Sequence, residues 1–453
     1  MKNRFQKSLG AAAVIGSLVM ASVSQAKPYE AQMSLEPHVE ATLIVKFVSS
    51  ANTEQRGSVR AIAGAVNSEQ ISPLDSNTVI IKLPSEEVLQ KVMEALNHNP
   101  NVEFAEPDYI VQSNDVSNDT YLVDNSLWGM QNGPGGSNAV GAWVTNTGSR
   151  SVAVGIIDEG IQLTHPELAA NMWINSLEIP KNKKDDDRNG YVDDVNGWDF
   201  ANNDNTIYDG GLINPTVDKH GTHVAGTIGA VGGNGAGVAG VNWNVTMISA
   251  KFLGRSGGAL SNAVRALDYL TALKTRSQSP ISIIATNNSW GGGGYSQALL
   301  DAINRGGNAG IFFVAAAGNS TNNNDATASY PSNYVCTTAT RSTDCVIAVA
   351  AIDVNGGLAS FSSYGNTTVD IGAPGVGIKS TMAPNTYDVY SGTSMATPHV
   401  TGAIALFASK CPVATMTLMR TALLDSGTAT SSLTGKSVTG KRLNVGGLLT
   451  GNC

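Results

Sequence analysis

Val152-Ala153-Val154-Gly155-Ile156-Ile157-Asp158-Glu159-Gly160 is an apolar run that ends in two acids and a glycine. Six residues without a charge suit a strand buried on both faces, and an acid directly after such a run is costly unless a partner meets its charge. Four similar runs follow: Val245–Phe252, Ile281–Thr286, Ile311–Ala316 and Val346–Ala351. Helical spacing covers His220–Val231, Leu260–Leu273, Gln297–Arg305 and Ser394–Ser409. Buried strands separated by helices predict an α/β domain, a parallel sheet with helices on both faces. In such sheets chemistry gathers just past the carboxyl ends of the strands, which makes Asp158 the first candidate.

Two more stretches share its character. Asp218-Lys219-His220-Gly221-Thr222-His223-Val224-Ala225-Gly226-Thr227 puts a His at the start of a small-residue helix. Gly392-Thr393-Ser394-Met395-Ala396-Thr397-Pro398-His399 opens an apolar helix with a Ser, whose N–H and helix dipole would face a developing oxyanion. Ala315-Ala316-Ala317-Gly318-Asn319 ends a strand with a carboxamide, a second donor for that oxyanion. A Ser at a helix start is usually a cap, and a lone His is usually structural. Asp, His and Ser together supply an orienter, a general base and a nucleophile for acyl transfer.

Ile157-Asp158-Glu159-Gly160, His220-Gly221-Thr222-His223 and Gly392-Thr393-Ser394-Met395-Ala396-Thr397-Pro398 resemble the signatures of the subtilisin-like serine proteases, and the resemblance runs from about Asp119 to the end. It implies Asp158, His220 and Ser394 as a triad and Asn319 as oxyanion donor. It also implies Ser289, Trp290, Gly291 and Gly292 as the substrate edge beside the S1 pocket, with Lys251–Gly258 facing it. Glu159 departs from the family, which commonly has Thr or Ser there. The implied function is a secreted serine endopeptidase, made as an autoprocessed zymogen and acting on proteins or peptides. The Gly291–Gly294 edge carries no acid, which argues against a dibasic preference and leaves cleavage after apolar or large residues as the expectation.

Upstream, Lys2, Arg4 and Lys7, the apolar stretch Leu9–Val23 and Ser24-Gln25-Ala26 have the order of a secretory signal peptide, residues 1–26; the run is short for a membrane anchor. From Ala41 to Gln112 the pattern reads strand (Thr42–Val48), helix (Thr53–Val66), strand (Thr78–Leu83), helix opened by Ser85 (to Asn97) and strand (Val102–Ala105). This small α+β, ferredoxin-like unit resembles the inhibitor-type propeptide of the family. The propeptide is expected over residues 27–117, cut between Gln112 and Asn118, with the peptidase domain over 118–453. Lys441-Arg442-Leu443-Asn444-Val445 resembles the end of the catalytic domain, so no attachment module is expected after it.

Cys336, Cys345, Cys411 and Cys453 would pair in an oxidising compartment. Of three connectivities, Cys336–Cys345 with Cys411–Cys453 is the most local. Asp185-Asp186-Asp187-Arg188-Asn189-Gly190-Tyr191-Val192-Asp193-Asp194 begins as a calcium loop does, so Asp185, Asp187, Asn189, Tyr191, Asp193 and Asp194 are candidate ligands for structural Ca²⁺. Nine acids but four basic residues fall between Glu178 and Asp209; Asn196 at the twelfth position, where a Glu is needed, argues against a true EF-hand.

Rival readings are weaker. Gly254-Arg255-Ser256-Gly257-Gly258 matches a nucleophile elbow, and an esterase would use Ser256 with Asp370 and His399, leaving the Asp158 and His220 motifs unexplained. Gly235–Gly240 matches G-x-G-x-x-G in the wrong context for a dinucleotide and reads as a turn. His223 and His399 are expected to pack inside the domain. An inactive subtilisin-like binding protein is the other alternative. With 28 Lys+Arg against 36 Asp+Glu, a net charge of −8 disfavours nucleic acid, and no later run is long enough for a membrane span. A monomer is expected.

Overall fold

The computed structural model describes residues 38–109, 117–210, 217–336, 343–451 and 453. The signal peptide and most of the expected cleavage window lie outside the described residues. Contacts divide the chain into two units, Met1–Ser113 and Asn114–Cys453.

The first unit runs β1 (His38–Phe47), α1 (Thr53–Ile62), β2 (Asn67–Ser72), β3 (Asp75–Lys82), α2 (Leu89–Asn97) and β4 (Val102–Tyr109). Its antiparallel sheet has the order β2-β3-β1-β4, the ferredoxin-like arrangement. Leu43, Val45, Phe47, Val79 and Ile81 alternate into a core closed by Val59, Met93 and Leu96. α1 opens with a capping box between Asn52 and Gln55 and ends four residues before the expected Val66. The next residues form an edge strand instead. Asn67–Ser72 is polar and largely exposed, so it shows no apolar alternation; it is held by backbone pairing to β3 and by Arg60 Nε of α1 donating to Ser68 Oγ. Ser85 makes no side-chain cap, and α2 begins only after a 3₁₀ turn over Glu86–Val88.

The second unit contains α3 (Thr120–Val123), α4 (Ala139–Trp143), β5 (Gly148–Asp158), β6 (Gly197–Asp199), α5 (Lys219–Gly229), β7 (Asn244–Lys251), α6 (Leu260–Thr275), β8 (Ile283–Asn288), α7 (Gln297–Asn308), β9 (Phe312–Ala316), β10 (Val346–Ile352), β11 (Ile371–Pro374), β12 (Ile378–Met382), β13 (Thr386–Tyr390), α8 (Thr393–Lys410), α9 (Met416–Asp425), β14 (Thr428–Ala429), β15 (Lys441–Arg442) and α10 (Val445–Thr450). Nine strands form one sheet, β14-β15-β11-β10-β9-β8-β5-β7-β6, parallel except for the terminal β14–β15 pair; β12 and β13 form a separate hairpin. The central strands β8, β9 and β10 are buried throughout; β9 and β10 are uninterrupted apolar runs, while β8 ends in Thr286-Asn287-Asn288. α8 lies along β5, β8, β9 and β10 and packs on α5, while α6 packs with α7 and reaches β5 and β7. Cys336 bonds to Cys345 and Cys411 to Cys453. No helix among the described residues is long and apolar enough to cross a membrane.

The order reverses at β5: the chain goes outward to β6, returns through β7, then continues on the other side of β5 as β8. Asp158, Lys251, Asn288 and Ala316 end neighbouring strands around this switch point, the position at which open α/β sheets generally bind ligands.

Candidate active site

Asp158 closes β5 and is buried, and its Oδ1 faces His220 Nδ1 at 2.8 Å. The same Oδ1 accepts from Glu159 N at 2.7 Å, while Oδ2 is buried without a protein partner. His220 is the second residue of α5, and the helix must come close to the β5 end to offer it. Gly221 allows that: a Cβ there would stand 2.2 Å from Gly160 O. Burial pushes the His220 imidazolium down, and the charge and hydrogen bond of Asp158, with Glu159 behind, more than reverse this, so its pKa is raised. The pair holds one tautomer, with the proton on Nδ1 and Nε2 free to act as a base.

Ser394 is the second residue of α8. Pro398, four residues on, has no N–H for the Ser394 carbonyl, which accepts instead from Ser289 Oγ at 2.8 Å. Ser394 Oγ donates in turn to Ser289 O at 3.1 Å rather than to His220. Asn319 lies just past β9. Its Oδ1 accepts from Thr393 N and Thr393 Oγ1, both at 2.9 Å, which turns Nδ2 the other way. A Cβ on Gly392 would stand 3.4 Å from Asn319 Nδ2 and 3.6 Å from Ser394 N. The two N–H groups therefore border one space that glycine leaves open.

Ser289-Trp290-Gly291-Gly292 continues from β8. Trp290 is an anchor beneath this edge, packed edge-on against Phe252 of the facing segment and against Phe313 of β9. Gly291 and Gly292 are exposed, and Gly292 N donates to Tyr330 O.

Two residues in this region carry roles that the motif reading missed. Thr393 fixes the Asn319 carboxamide; its signal was its place inside the Ser394 motif. Lys251, the last residue of β7, is 1% exposed and binds Glu159 O, Asp218 Oδ1 at 2.7 Å and Leu253 O at 3.1 Å, with Asp209 Oδ2 at 3.4 Å. It joins the end of β5, the start of α5 and the facing edge.

The sequence profile described as the Subtilase family matches residues 149–442, and that of the fervidolysin N-terminal prodomain matches residues 24–108. The chain belongs to the subtilase family. It is a subtilisin-like serine protease with an N-terminal prodomain. It is 35% identical over 374 residues to a thermophilic serine proteinase of Bacillus sp. (strain AK1), covering 82% of this chain and 79% of that one. It is 34% identical over 342 residues to an extracellular protease of Xanthomonas campestris pv. campestris, covering 72% of this chain and 55% of that protein. A solved protease from Pseudoalteromonas arctica PAMC 21717 superposes with a TM-score of 0.57 at 28% identity, over 74% of this chain and 99% of that one.

Subtilases commonly bind calcium, and the acidic loop of this subtilase offers hard ligands. One oxygen each from Glu178, Asp187 and Asp194 lie within 4.8 Å of one another, the spread of ligands held at about 2.3–2.6 Å from a shared Ca²⁺. Burial pushes Asp194 up to about 6, as expected of a carboxylate short of positive charge. The donor set fits the ion. Asn189 bridges Asp187 and Asp194. Of the other expected ligands, Asp185 accepts from Asn189 N and Gly190 N, Asp193 from Asn182 N and Lys183 N, and the Tyr191 ring packs on Trp198, Phe200 and Tyr269. Glu178, not among the expected ligands, precedes the loop pattern and had only the local density of acids as a signal.

The esterase constellation is not assembled. Ser256 sits on an exposed turn closed between Gly254 and Gly257, Asp370 pairs with Arg420, and the buried His399 bonds Met395 O. No hydrogen bond joins the three. His223 is buried, bonds Ile378 O and stacks on Tyr390; burial pushes it down to about 3 and His399 to about 4, so both are neutral packing groups.

Proposed function

We propose that this subtilase is a secreted endopeptidase that cleaves peptide bonds through Asp158, His220 and Ser394. The reading is carried by the 2.8 Å His220–Asp158 pair at the strand ends where Ser394 and Asn319 also emerge. When a peptide enters between the 251–258 and 289–292 edges, Ser394 Oγ turns from Ser289 O and attacks the carbonyl carbon as His220 Nε2 takes its proton. Asp158 stabilises the imidazolium, and the oxyanion is met by Asn319 Nδ2 and Ser394 N. His220 returns the proton to the leaving amine, an acyl-enzyme remains, and water releases it by the same steps in reverse order.

Calcium is proposed at Glu178, Asp187 and Asp194, where it would neutralise a crowded loop. The prodomain is proposed as an intramolecular inhibitor, since tethering gives a product-like segment a high effective concentration. Its removal would leave a mature start near Ser117. That position is supported by Ser117 and Asp119, which are buried, with Asp119 accepting from Gly233 N and Asn234 N inside the second unit. Export through residues 1–26 completes the proposal.

The test compares full-length wild type and Ser394→Ala by intact mass, N-terminal sequence and peptide hydrolysis. Wild type should lose the prodomain and cleave peptide; the variant should keep the prodomain and cleave none. Hydrolysis by the variant at the wild-type rate would overturn the reading.

A further inference from the structure

Glu159 follows Asp158 directly, and its carboxylate reaches the backbone of His220. Oε2 accepts from the backbone N of His220 at 3.2 Å, at the positive end of α5. Its own N–H is held by Asp158 Oδ1, the oxygen that binds His220 Nδ1. The side chain is half-buried. An ionised Glu offers no hydrogen to the bare Asp158 Oδ2, so both carboxylates are held to His220, Asp158 at the ring and Glu159 at the backbone.

We propose that Glu159 acts on His220 as a second negative charge behind Asp158, and so sets the acid edge of the protease's working range. The neighbours leave this role to Glu159. Lys251, from β7, is matched by Asp218 at the start of α5, with Asp209 beyond it. Tyr390 of β13 faces Glu159 as a neutral phenol, and His223, one turn along α5, is neutral. Burial and then the charge of Asp158 raise the pKa of Glu159 itself. The sign is fixed: an anion beside the imidazole favours its protonated form, so the neutral base appears only at higher pH. Stability from this attraction is full below the ordinary His pKa and lost as pH rises through the raised one, while turnover changes in the opposite sense.

The inference rests on His220 being the general base. Two readouts separate them: kcat/KM of the mature enzyme against pH on a peptide substrate, and NMR titration of His220 in the Ser394→Ala background. Glu159→Gln keeps an acceptor for His220 N–H but removes the charge. Its acid limb and its His220 titration should both fall by roughly 0.5–1 pH unit, less than the shift from a close buried partner. kcat/KM well below the limb should then rise about three- to tenfold. Glu159→Ser should shift both by the same amount, because only the charge matters. Both readouts unmoved in Glu159→Gln, or moved only in Glu159→Ser, would overturn the proposal. Full turnover in His220→Ala would instead remove the reading beneath it.

Discussion

Asp158 gives one oxygen to His220, a partner brought from a helix more than sixty residues away, whereas the acids from Glu178 to Asp209 are met chiefly by amides from their own loop. The first arrangement exists only when β5 and α5 have docked. The second is built mainly by local turns, with Tyr269, Arg276 and Lys251 reaching Asp194, Asp187 and Asp209 from other elements. On the proposed reading one collection of carboxylates sets a rate and the other sets how well a loop holds its charge.

That division can be broken by experiment. Ser394→Ala should lower kcat by about 10⁶, the loss measured in subtilisin, with Tm unmoved; a falling Tm would mean that the hydroxyl also supports the fold. Asp158→Asn should cost about 10⁴ in kcat by releasing the His220 tautomer, while KM stays near wild type. Asn319→Ala should cost roughly 10²–10³ in kcat, again with KM nearly intact. Unchanged turnover would remove the carboxamide from the mechanism. In contrast, chelation of calcium, or Asp187→Asn, should lower stability by about 2–3 kcal/mol at an ion concentration near 100 Kd, a Tm shift of roughly 3–4 °C by calorimetry for a domain of this size. kcat at 25 °C should hardly change. Loss of turnover ahead of unfolding would erase the distinction between the two regions.

The same contrast explains what could be read in advance. Buried runs and helical spacing located β5, β7, β8, β9 and β10 and helices α5, α6, α7 and α8 within a few residues, because a strand covered on both faces has no room for polar alternation. The edge strand Asn67–Ser72 escaped because its side chains are largely in water and its pairing to β3 uses backbone atoms. In the loop, D-x-D-x-N-G spacing announced oxygen ligands, but spacing alone could not tell a carboxylate that caps a backbone turn, such as Asp185 or Asp193, from one aimed at the centre, such as Asp194. Lys251 was hidden for a related reason. A Lys at a strand end is ordinarily solvated, and only the three-dimensional approach of Asp218, Glu159 O and Leu253 O makes it a buried junction.

The place of α8 in the sheet bears on how the molecule is made. It spans Thr393–Lys410 and lies against β5, which ended at residue 158, so the core cannot close until most of the chain has been synthesised. Parallel pairings between such distant segments carry a high loop-closure entropy before any contact rewards it, and folding of that kind is slow. The small antiparallel unit that precedes it has short-range pairings and can form first.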